Sequence, residues 1–373
     1  MAAYSFPAAA PAIARDLQVP GTLVGFFIST VYGVGIVSAL LSPGFIHRYG
    51  AVRVSQFVLL ATLAMLFSCT LGSVLSVAIG AALLGLAYGA TAPASTHLLV
   101  PRTPLSVMNL VLSIRQIGVP LGGVLAGLLM VPLTVQFGWQ AALLFQTVPV
   151  LMLLLIIQIP RARWDKDRDP ARTIFRAGLL APVQILRESS AIRRLALASF
   201  VYSGMQLCFI TFMTVHLTSK AGFDLIGAGQ ALAAYQVAGV ISRPIWGWLA
   251  DKVLAARWLL ALQGIIMCVT AAFAGQFDLD TPRVLVIAVC TVAGATASGF
   301  TGIAYAEWAR LGGTRRTEAT GLGAGLMFAG VMLMPSAFSV AVTTLDDYAA
   351  AYAVAGGFAA LSGLLLLGGG RSR

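Results

Sequence analysis

The sequence predicts an all-α membrane protein: twelve helices in two six-helix halves, residues 1–160 and 195–373, joined by a linker at 161–194. Three observations carry this expectation. The 373 residues are 59% hydrophobic and 10% charged, with a mean hydropathy of +0.90, where a soluble domain carries about 25% charged residues. About a dozen apolar runs approach or exceed the roughly 20 residues that cross a hydrocarbon core. One loop pattern also occurs twice, each time at the foot of an apolar run, which implies an internal duplication.

In chain order the apolar segments lie near 2–14, 21–43, 54–71, 74–96, 105–130 and 139–159, then 195–217, 226–250, 258–275, 284–306, 319–342 and 349–368. The first is short. Its residues before Arg15 rise roughly 20 Å at ~1.5 Å each, so the sequence is expected to enter part-way through a first helix. The rival, a signal peptide cleaved near Ala8-Ala9-Ala10, lacks the basic start such peptides carry. Mixed charge at the start of 161–194 reads as a solvated tether. Within it Leu179, Leu180, Val183, Ile185 and Leu186, between Arg176 and Arg187, form an amphipathic pattern suited to a membrane surface. Cys69, Cys208, Cys268 and Cys290 all fall in apolar segments without metal-ligand spacing and read as packing residues.

The net charge of +11 is not a nucleic-acid footprint, because the basic residues are dispersed over alternate loops. Arg48, Arg53, Arg102, Lys252, Arg257, Arg310, Arg315, Arg316, Arg371, Arg373 and the basic residues of 161–194 share one face; Arg15, Lys220 and Arg283 are on the other. The positive-inside rule makes the richer face cytoplasmic, with both termini and the linker there, in a plasma or inner membrane. The expected surround is a lipid bilayer and the expected state a monomer. No cofactor, metal or nucleic acid is expected. His47, His97 and His216 stand singly near helix ends, and no phosphate loop of the GxxxxGK[ST] kind is present.

The loop pattern is clearest at Gly247-Trp-Leu-Ala-Asp251-Lys252 with Arg257 beyond, and weaker at Pro43-Gly-Phe-Ile-His47-Arg48-Tyr-Gly50 with Arg53 beyond. In one register Gly35 falls on Gly239, Ser38 on Ser242, His47 on Asp251 and Arg48 on Lys252. This pattern resembles the signature loop of the major facilitator superfamily, found between the second and third helices of each half. The resemblance implies a secondary transporter working by alternating access, with these loop residues as its gating motif. In the 105–130 segment, Gly118, Pro120, Gly122, Gly123 and Gly127 resemble the family's Gly/Pro-rich fifth helix and are expected to permit close helix packing. The GxPxGG spacing departs from the antiporter form.

Two arginines, Arg115 and Arg243, fall inside apolar runs. Such placement costs at least ~2.5–3.5 kcal/mol, so these residues face a cavity or a partner. Of 13 Asp and Glu, none falls in the middle of an apolar segment. An anionic ligand is therefore their natural complement, since the planar guanidinium fork binds a carboxylate with two parallel hydrogen bonds. Arg243-Pro244-x-x-Gly247-x-x-Ala250 also resembles the eighth helix of the monocarboxylate-transporter branch, where the arginine is the proposed carboxylate contact. That branch has an aspartate four residues earlier, where this chain has Gly239, so its proton-coupling pair is not reproduced and a coupling proton stays a candidate partner. Tyr202, Gln206, Tyr235 and Gln236 are candidates to hydrogen-bond substrate.

The expected function is carriage of a small organic anion, a carboxylate, with Arg243 as contact and Arg115 as a second positive group. Alternatives are efflux of drugs or other hydrophobic solutes, with structural arginines, and a non-transporting membrane receptor or assembly factor on the same fold. No nucleophile–base pair points to an enzyme.

Overall fold

The computed structural model describes residues 2–19, 23–174, 181–345 and 347–368. Arg176, Leu179 and Leu180 of the expected amphipathic stretch, with Asp346, Arg371 and Arg373, lie outside those residues. Among the described residues the chain is helical without strands. Nine stretches among the described residues are long and apolar enough to cross a membrane. One of them, Arg283–Leu345, holds two successive helices that part at Gly313, where φ is +53°. The Leu225–Lys252 helix adds 28 residues, and two short helices, Ala2–Ala8 and Ala10–Asp16, come first.

Polar caps fix where the helices begin. Ser73 accepts from the Ser76 backbone N–H, and Ser76 answers with its hydroxyl to Ser73 N, which starts Val74–Leu99. Ser189, Asp224 and Asp347 accept from the first turns of Ser190–Ser219, Leu225–Lys252 and Tyr348–Leu367. The faces left exposed are apolar: Phe57, Leu60 and Phe67 project from one helix, and Val354, Phe358 and Leu361 from another. In water such faces would aggregate, and in hydrocarbon they are the expected solvent-facing side.

The contacts divide the chain into two units: Met1–Arg102 with Leu121–Val183 and Thr314–Gly325, and Thr103–Pro120 with Gln184–Gly313 and Leu326–Arg373. Each unit thus includes one short piece, 314–325 or 103–120, remote in sequence from the rest.

In the first unit, Gly85 and Gly89 let Val74–Leu99 close on Leu23–Tyr49; a Cβ at Gly85 would lie 2.7 Å from the Val31 carbonyl oxygen. Asp16 accepts from Trp139 Nε1 and Gln140 Nε2, both at 2.9 Å. Most of the start of the 161–194 segment is exposed, but one of its acids is drawn in. Asp165 is 5% exposed, and its carboxylate accepts from the backbone N–H groups of Val52 and Arg53 at 2.8 and 3.1 Å. A helix start presents unsatisfied N–H groups, which draw this acid onto the Ala51–Thr70 helix.

In the second unit, Gly330 packs on the Phe200 backbone, and Trp308 Nε1 donates to Ser199 Oγ at 3.0 Å. The Arg193 guanidinium donates to the carbonyls of Leu186 and Arg187 at the end of the Ala181–Glu188 helix.

The 105–130 segment differs from expectation. It runs as Met108–Gln116, Gly118–Leu125, a π-helical turn Ala126–Met130, and Val131–Phe137. Among the described residues, nothing within 4 Å would meet a Cβ added at Gly118 or Gly127, and Gly123 would make only ordinary contact with Tyr4 at 3.8 Å. Gly122 and Pro120 are buried. The close approaches occur at other glycines, among them Gly85, Gly89, Gly247 and Gly302.

Candidate functional site

Arg243 is 1% exposed in the interior of the Leu225–Lys252 helix. Its Nε donates to the Ser298 carbonyl at 3.0 Å, its Nη2 to Ser298 Oγ at 3.3 Å, and its Nη1 to the Gln116 carbonyl. The Gln116 carbonyl is available for a covalent reason. Residue 120, four positions on, is proline, which has no N–H to close the helical bond. The helix accordingly ends at Gln116, and Arg243 supplies the donor. Ser298 ends a π-helical turn, Gly294–Ser298, within the helix that begins at Arg283. Such wide turns shift carbonyls out of the regular ladder and concentrate at functional sites. The Ala295 carbonyl, in the same turn, accepts from Trp246 Nε1 at 2.7 Å.

The small residues of that turn bring it against Leu225–Lys252: Gly294 sits on the Tyr235 backbone, and a Cβ at Gly239 would come 2.6 Å from Ser298 Oγ. A side chain at position 239 would collide with the serine that orients Arg243. That is the physical reason for glycine at this position.

Ser298 also joins other expected residues to Arg243. Gln206 Nε2 donates to Ser298 Oγ at 3.4 Å, and the Tyr235 hydroxyl donates to the Gln206 carbonyl at 3.4 Å. Gln236 is half-buried one position beyond Tyr235. Arg115, on Met108–Gln116, holds its guanidinium carbon 4.9 Å over the Tyr305 ring, a cation–π contact. Tyr202 is the exception among the expected substrate contacts. Its hydroxyl donates to the Leu260 carbonyl at 2.7 Å, and its ring meets Phe300 edge-on at 5.3 Å. It packs between helices, because a fully buried phenol takes the nearest carbonyl.

Below Arg243, residues at i+4 and i+8 extend one stripe along the helix. A Cβ at Gly247 would lie 2.7 Å from Leu110 Cα and 2.8 Å from the Asn109 oxygen. Asp251 Oδ1 accepts from Asn109 N and Nδ2 at 3.0 and 2.8 Å, and Oδ2 from Leu110 N at 2.9 Å. Asp251 thus caps the start of Met108–Gln116, where unsatisfied N–H groups carry the positive end of the helix dipole. Lys252 is exposed and Arg257 half-buried.

The other copy of the pattern is built differently. His47 Nε2 lies 3.1 Å from Glu318 Oε1, which Arg172 Nη2 also approaches at 3.5 Å. His97 bridges Asp167 Oδ2 at 2.8 Å and Thr317 Oγ1 at 2.7 Å, and its ring stands edge-on to His47 at 5.4 Å. Arg48 donates to the Arg172 carbonyl at 3.3 Å, and Arg53 to Gln56 Oε1 at 3.0 Å. Gly50 has φ +96°, and a Cβ there would come 2.6 Å from Asp165 Oδ2. Glycine is required on both counts.

A family profile described as Major Facilitator Superfamily matches residues 1–310 and, in a second match, 195–372. The chain belongs to the major facilitator superfamily. It is an integral membrane transporter and not an enzyme. A 4-hydroxybenzoate transporter of Pseudomonas aeruginosa, PcaK, is 27% identical over 320 residues, covering 75% of this chain and 70% of that protein. The crystal structure of the human organic anion transporter MFSD10 superimposes with a TM-score of 0.75 at 17% identity, covering 96% of this chain and 88% of that one. A bacterial homologue of the iron transporter ferroportin, in an outward-facing state, gives 0.77 at 15% identity, covering 98% and 96%. An iron-transporter homologue and an organic anion transporter thus share this fold, and such likeness speaks for architecture alone.

Ser298, Gln116 and Asn109 were missed by sequence reasoning, as was Asp165. Proline four residues after Gln116 is a readable sign of a freed carbonyl. The run of small residues Gly294-Ala-Thr-Ala-Ser298 is a weaker sign of an irregular turn.

Proposed function

We propose that this transporter carries a small organic anion, a carboxylate, across the cytoplasmic membrane by alternating access of two six-helix halves. The observation that carries the reading is Arg243: a guanidinium buried in an apolar helix and held in a fixed plane by Ser298. A pre-oriented fork loses little entropy when it takes a carboxylate bidentately. Arg115 adds a second cation on the segment whose Gln116 carbonyl meets Arg243. The name of the Pseudomonas relative, a 4-hydroxybenzoate transporter, supports the substrate class. The termini and the 161–194 linker are assigned to the cytoplasm from the distribution of Lys and Arg. Gln206, tied to Ser298, and Tyr235, tied to Gln206, are the proposed polar contacts beside it, and a proton is a candidate coupling ion.

A second reading has its own observation. Arg243 ties Gln116 to Ser298, as a purely structural arginine does, and efflux of hydrophobic solutes then becomes the better function. Uptake of radiolabelled 4-hydroxybenzoate, lactate and nitrate into proteoliposomes, with and without a pH gradient, separates the two. Carboxylate uptake that Arg243→Ala abolishes supports the proposal; carboxylate uptake indifferent to that substitution, or none, supports the second reading.

A further inference from the structure

We infer that a bound carboxylate and the Gln116 carbonyl compete for the Arg243 guanidinium, so that anion loading releases the Met108–Gln116 segment from the Leu225–Lys252 helix. The inference rests on the reading of Arg243 as the anion contact and adds how that contact is regulated.

Three residues at helical spacing hold the segment along its length. Arg243 takes the Gln116 carbonyl at one end, Gly247 receives Asn109 and Leu110 in close contact, and Asp251 caps Asn109 and Leu110 at the other end. Gly302 backs the segment from another helix, where a Cβ would strike Ser113. Ser298 occupies the Nε–Nη2 edge of the guanidinium, and Gln116 is met by Nη1. A carboxylate seated bidentately on the outer Nη1–Nη2 edge needs Nη1, the nitrogen that holds the segment. Ser298 is therefore a positioning residue, and Gln116 a competitor of the ligand.

The competition has a thermodynamic signature. Apparent affinity is the intrinsic affinity reduced by the fraction of molecules in the binding-competent state. Loosening the clamp away from Arg243 raises that fraction, so it tightens anion binding. Pro120→Ala gives the Gln116 carbonyl an N–H of its own helix to bond, and Asp251→Asn removes the charge at the far end.

The test is binding of 4-hydroxybenzoate to the purified full-length protein in nanodiscs, by calorimetry, with hydrogen exchange at Asn109 and Leu110. Expected are a Kd lower by roughly five-fold in Pro120→Ala and in Asp251→Asn, the scale of one net hydrogen bond. Faster exchange at Asn109 and Leu110 on adding the anion to wild type is also expected. Binding lost in Arg243→Ala, but unchanged or weaker in both clamp variants, overturns the competition and leaves the anion contact standing. Binding that survives Arg243→Ala, or absent from wild type, overturns both. The hydrogen exchange guards against a misfolded Pro120→Ala, because it is read in wild type.

Discussion

The two copies of the repeated loop hold a helix start in opposite ways. In the second copy the loop carries the acid: Asp251 accepts from the backbone N–H groups of Asn109 and Leu110. In the first copy the acid has changed sides. Glu318, in the first turn of Arg316–Leu345, is the carboxylate, and His47 of the loop is its partner at 3.1 Å. An acid in the first turn is as favourable to the helix dipole as one capping from outside. A second acid at position 47 would then repel it. The departure of His47 from the family pattern is thus the counterpart of Glu318 rather than decay of the motif. The first copy also borrows Asp165 to cap Ala51–Thr70, with Gly50 making room for it.

The largest expected effect is at the tightest point of the second copy. Gly247→Leu would drive a side chain into Leu110 and Asn109, and overpacking of this kind costs about 1–3 kcal/mol or more. A fall of several degrees in the melting temperature of the purified protein is expected; a neutral result would mean that segment 103–120 does not lie on this helix. Next is Asp251→Asn. Loss of a charged acceptor shared by three donors is expected to remove about 1.5–3 kcal/mol of stability, as hydrogen bonds to charged groups do. Even so, ligand affinity should rise.

The exchange of sides is sharpened by His47→Asp. Alone it sets two carboxylates together and should destabilise by about 1 kcal/mol or more; combined with Glu318→Gln it should recover much of that loss. Equal melting of the single and double variants would show that the pair is not coupled. The smallest effect belongs to Glu318→Gln by itself. His47 and Arg172 lose their partner in a partly exposed setting, where such pairs contribute about 0–1 kcal/mol.

The helices were legible because lipid demands long apolar runs. Arg243 and Arg115 were legible for the same reason, since a charge in such a run stands out. Their partners were not. Ser298 and the Gln116 carbonyl are ordinary residues in sequence, recruited by an irregular turn and a proline whose effects are three-dimensional. Tyr202 looked like a ligand residue because a polar ring in an apolar helix does, and burial turned it to the Leu260 carbonyl. Gly118, Gly123 and Gly127 looked like packing glycines, yet among the described residues none of the three has a neighbour closer than ordinary contact to the place of a Cβ.

The role of Arg243 is most directly tested by calorimetric titration of 4-hydroxybenzoate into wild type, Arg243→Lys and Arg243→Ala, each checked for folding by its melting curve. As an anion contact, Arg243→Lys keeps the charge but loses the fork, so binding should weaken about ten-fold or more. Arg243→Ala should fold and show no measurable binding. A folded Arg243→Ala that binds with the wild-type Kd would contradict the anion contact and leave Arg243 as a tie between helices.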